Sequence, residues 1–156
     1  MIFASVGTQL PFPRLIDALN TLAPDLGEPV IAQTGASEGD WPALDVRPTL
    51  TPADFEQIFT AARVVVAHAG IGTILSAKRY GKPLIVLPRR HALGEHRNDH
   101  QLATARQAET LRGIHVAWQA EDLPALLARP DLDPASDQPS PSHGALIAHL
   151  KDFIDR

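Results

Sequence analysis

Apolar residues along this chain of 156 residues fall into two alternating patterns. The segments MIFASV, PVIAQ, RVVVAH, LIVLP and GIHVAW are short, nearly continuous and rich in β-branched residues, with a shorter piece near Leu44 to Arg47. Such runs predict strands covered on both faces. The stretches between them show helical spacing. Pro13 to Ala23 places Leu15, Ile16 and Leu19 on one face. Thr51-Pro52-Ala53-Asp54 supplies a hydroxyl cap, a proline at the first helical position and an acid at the third, opening a helix through Phe55, Ile58 and Phe59. Further helices are predicted up to Tyr80-Gly81, over Arg97 to Glu109, and over EDLPALLA.

Strands that alternate with helices predict an α/β fold: a Rossmann-like parallel sheet with helices on both faces. One domain over residues 1–130 is expected. Proline, serine and aspartate then mark 131–142 as a linker. Residues 143–156 carry Leu146, Ile147, Leu150, Phe153 and Ile154 at i, i+1, i+4, i+7 and i+8, one apolar stripe of a C-terminal amphipathic helix.

Ligands of parallel sheets sit beyond the carboxyl ends of the strands. Two predicted strands end there in glycine loops: Gly7-Thr8-Gln9 after the first, and Gly70-Ile71-Gly72-Thr73 after the strand ending at His68. The second hands over directly to a helix. That arrangement gathers unpaired backbone N–H groups and the positive end of a helix dipole at one point, which predicts an anion site, and phosphate is the candidate ligand.

Composition and charge narrow the setting. The chain has no cysteine, which removes disulfides, thiolate nucleophiles and thiolate metal sites. No apolar run approaches the ~20 residues that span a bilayer, and MIFASVGTQ reads as a strand instead of a cleavable signal, so a cytoplasmic chain is expected. The net charge of −4 offers nothing to a nucleic acid. Its distribution is uneven: between Lys78 and Arg112 eight basic residues face three acids, a local +5 that leaves −9 for the remainder. The basic stretch coincides with the second glycine loop and favours a small anion or membrane headgroups.

Rival readings fit less well. Gly70-x-Gly72 begins a dinucleotide fingerprint, but Leu75 stands at the third glycine, and the next strand ends Leu87-Pro88-Arg89 with no acid. A Walker loop lacks its Gly-Lys-Ser/Thr. His96 and His100 share a helical face, yet Glu95 precedes the first histidine and no third ligand is evident, so His91, His96 and His100 read as polar contacts and no metal is expected.

Three blocks in register, MIFASVGTQLPFPRLI, VVVAHAGIGTILSAKRYGKPLIVLPRR and LGEHRNDHQLATA, resemble the C-terminal, donor-binding half of GT-B glycosyltransferases of family 28. The likeness is greatest to the short subunit of two-part bacterial polysaccharide transferases, relatives of the dolichol-pathway N-acetylglucosaminyltransferase subunit, and runs from Met1 to about Ala105. The resemblance implies that Gly7, Thr8 and Gln9, with Gly70, Gly72 and Thr73, hold the diphosphate of a UDP-sugar. Asp99 and Gln101 match the stretch that contacts donor sugar hydroxyls. His68, Arg89 and Arg90 are candidate anion contacts; His68 reads equally as a satisfied histidine at a strand end. Arg89 and Arg90 together would suit a carboxylate, as on a uronic acid donor.

One position departs from the family. Ser76 stands where relatives often carry a glutamate that grips the ribose hydroxyls through two oxygens; a serine makes one such bond, and Glu95 from the neighbouring loop is the expected substitute. The resemblance further implies inverting transfer to a polyprenyl-diphosphate-linked saccharide with no bound metal or other cofactor. A membrane-attached partner subunit would supply the acceptor half and the general base, and would draw this chain to the inner face of the membrane. The C-terminal helix is expected to help dock that partner. A nucleotide-sugar binding or regulatory module without catalysis, and a fragment of an epimerase of similar fold, are the alternatives.

Overall fold

A computed structural model describes residues 1–136. Six parallel strands, β1 (Ile2–Ser5), β2 (Val30–Gln33), β3 (Asp45–Arg47), β4 (Val64–His68), β5 (Leu84–Leu87) and β6 (Ile114–Val116), form one sheet in the order β3-β2-β1-β4-β5-β6. Registers such as Ala4 opposite Ala32 on one side and Val66 on the other fix β1 at the centre.

The continuous apolar runs have a direct structural cause. Alternate residues of each central strand feed opposite cores: Ile2, Ala4, Val64, Val66, Ile85 and Leu87 face one side, and Phe3, Val65, Ala67, Leu84 and Val86 the other. Over the first face lie α1 (Pro13–Leu26), through Leu15, Ile16 and Leu19, and the short α5 (Leu123–Leu127). The second face is covered by α2 (Pro52–Ala61), α3 (Ile71–Tyr80) and α4 (His100–Ala108), and there Phe3 meets Phe55 and Phe59 edge-on with centroids 5.6 and 6.0 Å apart. With the central strands turned to two cores, period-two polarity disappears from them, whereas the edge strand β3 is largely exposed.

The capping signals act as read. Thr51 Oγ1 accepts the Asp54 N–H at 3.1 Å at the start of α2, and α3 closes at Gly81 with a left-handed φ of +63°. Two boundaries differ from expectation. α1 runs on through Pro24 and closes at Gly27. α4 begins at His100, not at Arg97, because the polar side chains before it bond locally: Asp99 Oδ1 accepts the His91 N–H and Asn98 Oδ1 accepts the His100 N–H, both at 3.0 Å. Residues 91–99 are therefore a loop, with one 3-10 turn at His91–Leu93.

Of the stretch expected to link the domain to a last helix, residues 131–136 are described and lie against the domain. Ala135 is buried and donates its N–H to the Lys82 carbonyl at 3.1 Å. It comes so close to Gly113 that a Cβ there would fall 2.3 Å from the Ala135 nitrogen. The apolar stripe from Leu146 to Ile154 lies outside the described residues.

Candidate functional site

β1 and β4 are neighbours at the centre of the sheet, and the chain turns outward in opposite directions from them. A crevice opens at such a reversal, at the carboxyl ends of the strands. Both glycine loops leave from there. They wall a cleft of about 580 Å³ in which Gly7, Thr8 and Gln9 meet Gly70, Gly72, Thr73 and Ser76.

Gly70 is the N-cap of α3, and no side chain caps that helix. The N–H groups of Ile71, Gly72 and Thr73 therefore have no carbonyl one turn before them and stand at the positive end of the helix dipole. Gly7 has a left-handed φ of +78°. The two loops approach each other around one imidazole: a Cβ on Gly7 would lie 2.9 Å from His68 Nε2, and one on Gly70 only 2.3 Å from His68 Cε1. Gly72 differs, since nothing lies within 4 Å of its missing Cβ and the space there is the cleft itself.

Behind the loops lies a buried polar cluster. Gln101 Oε1 accepts the N–H of Ala69 at 3.2 Å and of Arg89 at 2.9 Å, tying together the chain ends that leave β4 and β5. Its amide nitrogen lies 3.0 Å from His68 Nδ1. Arg89, 3% exposed, reaches under the first glycine loop to the carbonyls of Val6 and Leu10, both at 2.7 Å, and to His68 Nδ1 at 2.9 Å, with its guanidinium 4.9 Å above the Phe12 ring. Burial lowers the Arg89 pKa to about 10, still well above neutrality. Burial first, and then the charges of Arg89 and His96, lower that of His68 to about 3.

Ten of the thirteen predicted residues line this cleft: the two loops, Ser76, His68, Arg89 and Gln101. Several of them carry bonds that the sequence did not foresee. Gln101, expected to contact sugar hydroxyls, has its oxygen committed to two backbone donors and its nitrogen placed against His68, and so braces the site. Arg89 is covered by the first loop. Three residues lie away from the cleft. Glu95 forms a two-pronged ion pair with Arg14 at 2.8 and 2.9 Å and accepts the Arg90 N–H. Asp99 is held by the His91 N–H. Arg90 donates to the Trp118 carbonyl. The fork of two guanidinium groups expected for a uronate is thus not formed.

Sequence reasoning passed over Ser5, Gln33, Leu50, Pro52 and Phe55, which also line the cleft. Ser5 and Gln33, joined by a 2.9 Å hydrogen bond, had a signal: each is the polar last residue of an apolar strand. Leu50, Pro52 and Phe55 make an apolar wall, brought in from α2 and the turn before it, and no local pattern marks them. His96 stands at the rim, and its Nδ1 accepts the Asn98 N–H at 3.4 Å. Among the described residues no group of three or more His, Asp or Glu is arranged to hold a metal ion.

Strand order and loop position define the class: a Rossmann-like α/β domain with a glycine-walled crevice at its switch point. The family model for the Glycosyltransferase family 28 C-terminal domain matches residues 1–142, and the chain belongs to that glycosyltransferase family. A curated relative, the UDP-N-acetylglucosamine transferase subunit ALG13 of Eremothecium gossypii, is 30% identical over 118 residues. The match takes in 74% of this chain and 56% of the relative, so the chain spans little more than half of the relative's length. Among solved structures, MurG of Acinetobacter baumannii superimposes with a TM-score of 0.63 at 19% identity, over 99% of this chain and 49% of that one. The glycosyltransferase SsfS6 of Streptomyces sp. SF2575, in complex with thymidine diphosphate, gives a TM-score of 0.53 at 24% identity, over 81% of this chain and 30% of that one. Both likenesses establish the fold. No described helix is long and apolar enough to cross a membrane.

Proposed function

We propose that this chain is the donor-binding subunit of an inverting glycosyltransferase, and that it transfers a sugar from a UDP-sugar to a polyprenyl-diphosphate-linked saccharide in cell-surface polysaccharide synthesis. The observation that carries the reading is the meeting of two glycine loops and the uncapped N-terminus of α3 at the β1/β4 crevice. Gly72 and Thr73 hold the diphosphate through backbone N–H groups, with the Thr73 hydroxyl beside them. The apolar wall of Leu50, Pro52 and Phe55 offers a flat face to a base, and Ser76 gives a single hydroxyl to the ribose. The relative named as a UDP-N-acetylglucosamine transferase subunit, and the similar fold solved with a nucleoside diphosphate, support this ligand class.

In such a site, catalysis is donor orientation and stabilisation of the departing diphosphate by fixed N–H dipoles. No carboxylate lines the cleft among the described residues, and of its two histidines His68 has its Nδ1 taken up by Arg89 and Gln101; in this reading the group that deprotonates the acceptor hydroxyl belongs to the acceptor half. A membrane-attached partner bearing the acceptor half supplies it and holds this chain at the cytoplasmic face. No metal takes part in this scheme.

The test is a radiolabelled-donor assay on membranes carrying a lipid-linked acceptor. Label should reach lipid only when this chain and its partner are both present, and calorimetry on the chain alone should show UDP binding. UDP binding without transfer in any pairing favours a non-catalytic nucleotide-sugar module, a reading that the single hydroxyl of Ser76 in the cleft also permits. No UDP binding at all defeats both.

A further inference from the structure

We infer that Arg89 is a positioning residue: with Gln101 it fixes His68 as a neutral imidazole that carries its proton on Nε2, as a hydrogen-bond donor set between the two glycine loops. The inference deepens the function proposed above and rests on it only for the identity of the ligand that meets the donor.

The assignment follows from what each neighbour can donate or accept. A guanidinium only donates. The orientation of the Gln101 amide is settled by its two backbone donors, Ala69 N–H and Arg89 N–H, which both require an oxygen; its nitrogen is left to face His68. Two donors, Arg89 Nη1 at 2.9 Å and Gln101 Nε2 at 3.0 Å, therefore converge on His68 Nδ1, and Nδ1 must be the unprotonated, accepting nitrogen. The proton of the neutral ring then sits on Nε2. Among the described residues nothing accepts from that atom, and it lies where a Cβ of Gly7 would strike it, so a side chain on the first loop would close off the donor.

The charges around the ring act in the same sense. Arg89 faces it from the segment after β5 and His96 from the loop before α4, while the glycine loops and α4 bring no carboxylate against it. Glu95 acts on Arg89 from a distance and is itself bound by Arg14. A second proton on His68 would point at two donors, one of them a buried cation. The ring is thereby kept as an uncharged N–H donor with positive charge behind it, an arrangement suited to an oxygen of an anionic ligand such as a diphosphate.

The experiment is long-range proton–nitrogen NMR on the histidine rings of the full ¹⁵N-labelled chain from about pH 5 to 8, the range in which free imidazoles titrate. His68 is identified by the signal that His68→Gln removes. The expected result is the Nε2-protonated tautomer, unchanged over that range. An Nδ1-protonated ring, or a midpoint inside that range, overturns the inference. In folded Arg89→Met the Nδ1-protonated tautomer should become populated at neutral pH, because one of the two donors that hold Nδ1 as an acceptor is gone; an unchanged tautomer there removes Arg89 from the device and overturns it. Arg89 also holds the Val6 and Leu10 carbonyls, so a wild-type measurement stands beside the variant: the N–N coupling across the hydrogen bond from Arg89 Nη1 to His68 Nδ1, whose absence overturns the inference. A correct tautomer without UDP binding supports this inference and counts against the proposed function; UDP binding with the wrong tautomer does the reverse.

Discussion

Gly70 and Gly72 stand two positions apart in one loop and are glycine for different reasons. A methyl group at 70 would run into the His68 ring, which Arg89 and Gln101 hold in place, whereas one at 72 would meet only the cleft. Gly72→Val should therefore keep most of the wild-type melting temperature and lose UDP affinity, because its side chain fills the space a diphosphate would occupy. Gly70→Ala should lose both. Calorimetry and thermal melts on the pair separate them, and undiminished UDP binding by folded Gly72→Val would defeat the phosphate role. His68 gives a second prediction. Its folded pKa of about 3 lies below the ordinary 6.5, so between those values the unfolded chain binds a proton that the folded chain refuses. Stability is full above about pH 6.5 and falls on acidification by about 1.4 kcal/mol per pH unit from this group, levelling off near pH 3. Urea titrations at neutral pH and near pH 4.5 should show a smaller acid loss in His68→Gln than in wild type, by about 3 kcal/mol; equal losses would refute it. The glycines were legible in the sequence as loop positions. That two of them make room for a histidine was not, because the ring's neighbours come from the segment after β5 and from α4, far along the chain.

At the scale of elements, the strands and the capping of α2 could be read because their signals are local. The loop from 91 to 99 could not. Its helical spacing from Arg97 is outweighed by side chains that bond within the loop, and by Glu95, which reaches across to Arg14 on α1. Glu95 was read as a ribose ligand because charge alone cannot tell a carboxylate facing a ligand from one facing an arginine eighty-one positions earlier. The structure makes it a staple. Its side chain is 8% exposed, so Glu95→Ala strands a partly buried Arg14 and the Arg90 N–H, and should cost about 3 kcal/mol of stability, seen in denaturant melts. Loss of UDP affinity with unchanged stability would restore the ribose role.

For the whole molecule, the alternation of strands and helices was enough to predict a parallel sheet covered on two faces, and right-handed crossovers leave few ways to wind it. Strand order, and with it the placing of both glycine loops at one crevice, is a global property that no segment displays. The local excess of positive charge also takes on a different meaning in three dimensions. Of the two arginines that end LIVLPRR, Arg90 is bound to the Trp118 carbonyl away from the cleft and Arg89 lies beneath it. What the basic stretch gives the crevice is one buried cation, not a positive surface.

That cation touches no carboxylate: its bonds go to two carbonyls and an imidazole, and its Nε is buried with no hydrogen-bond partner. Its compensating carboxylate, Glu95, acts only from a distance, so under the proposed function an anion in the crevice adds a second counterion. Occupancy and folding are then linked by mass action, with a ligand at a hundred times its dissociation constant adding about 2.7 kcal/mol to the folded state. For a domain whose whole margin is of the order of 5–15 kcal/mol, the proposed function then implies that the supply of nucleotide would help set how much folded protein there is.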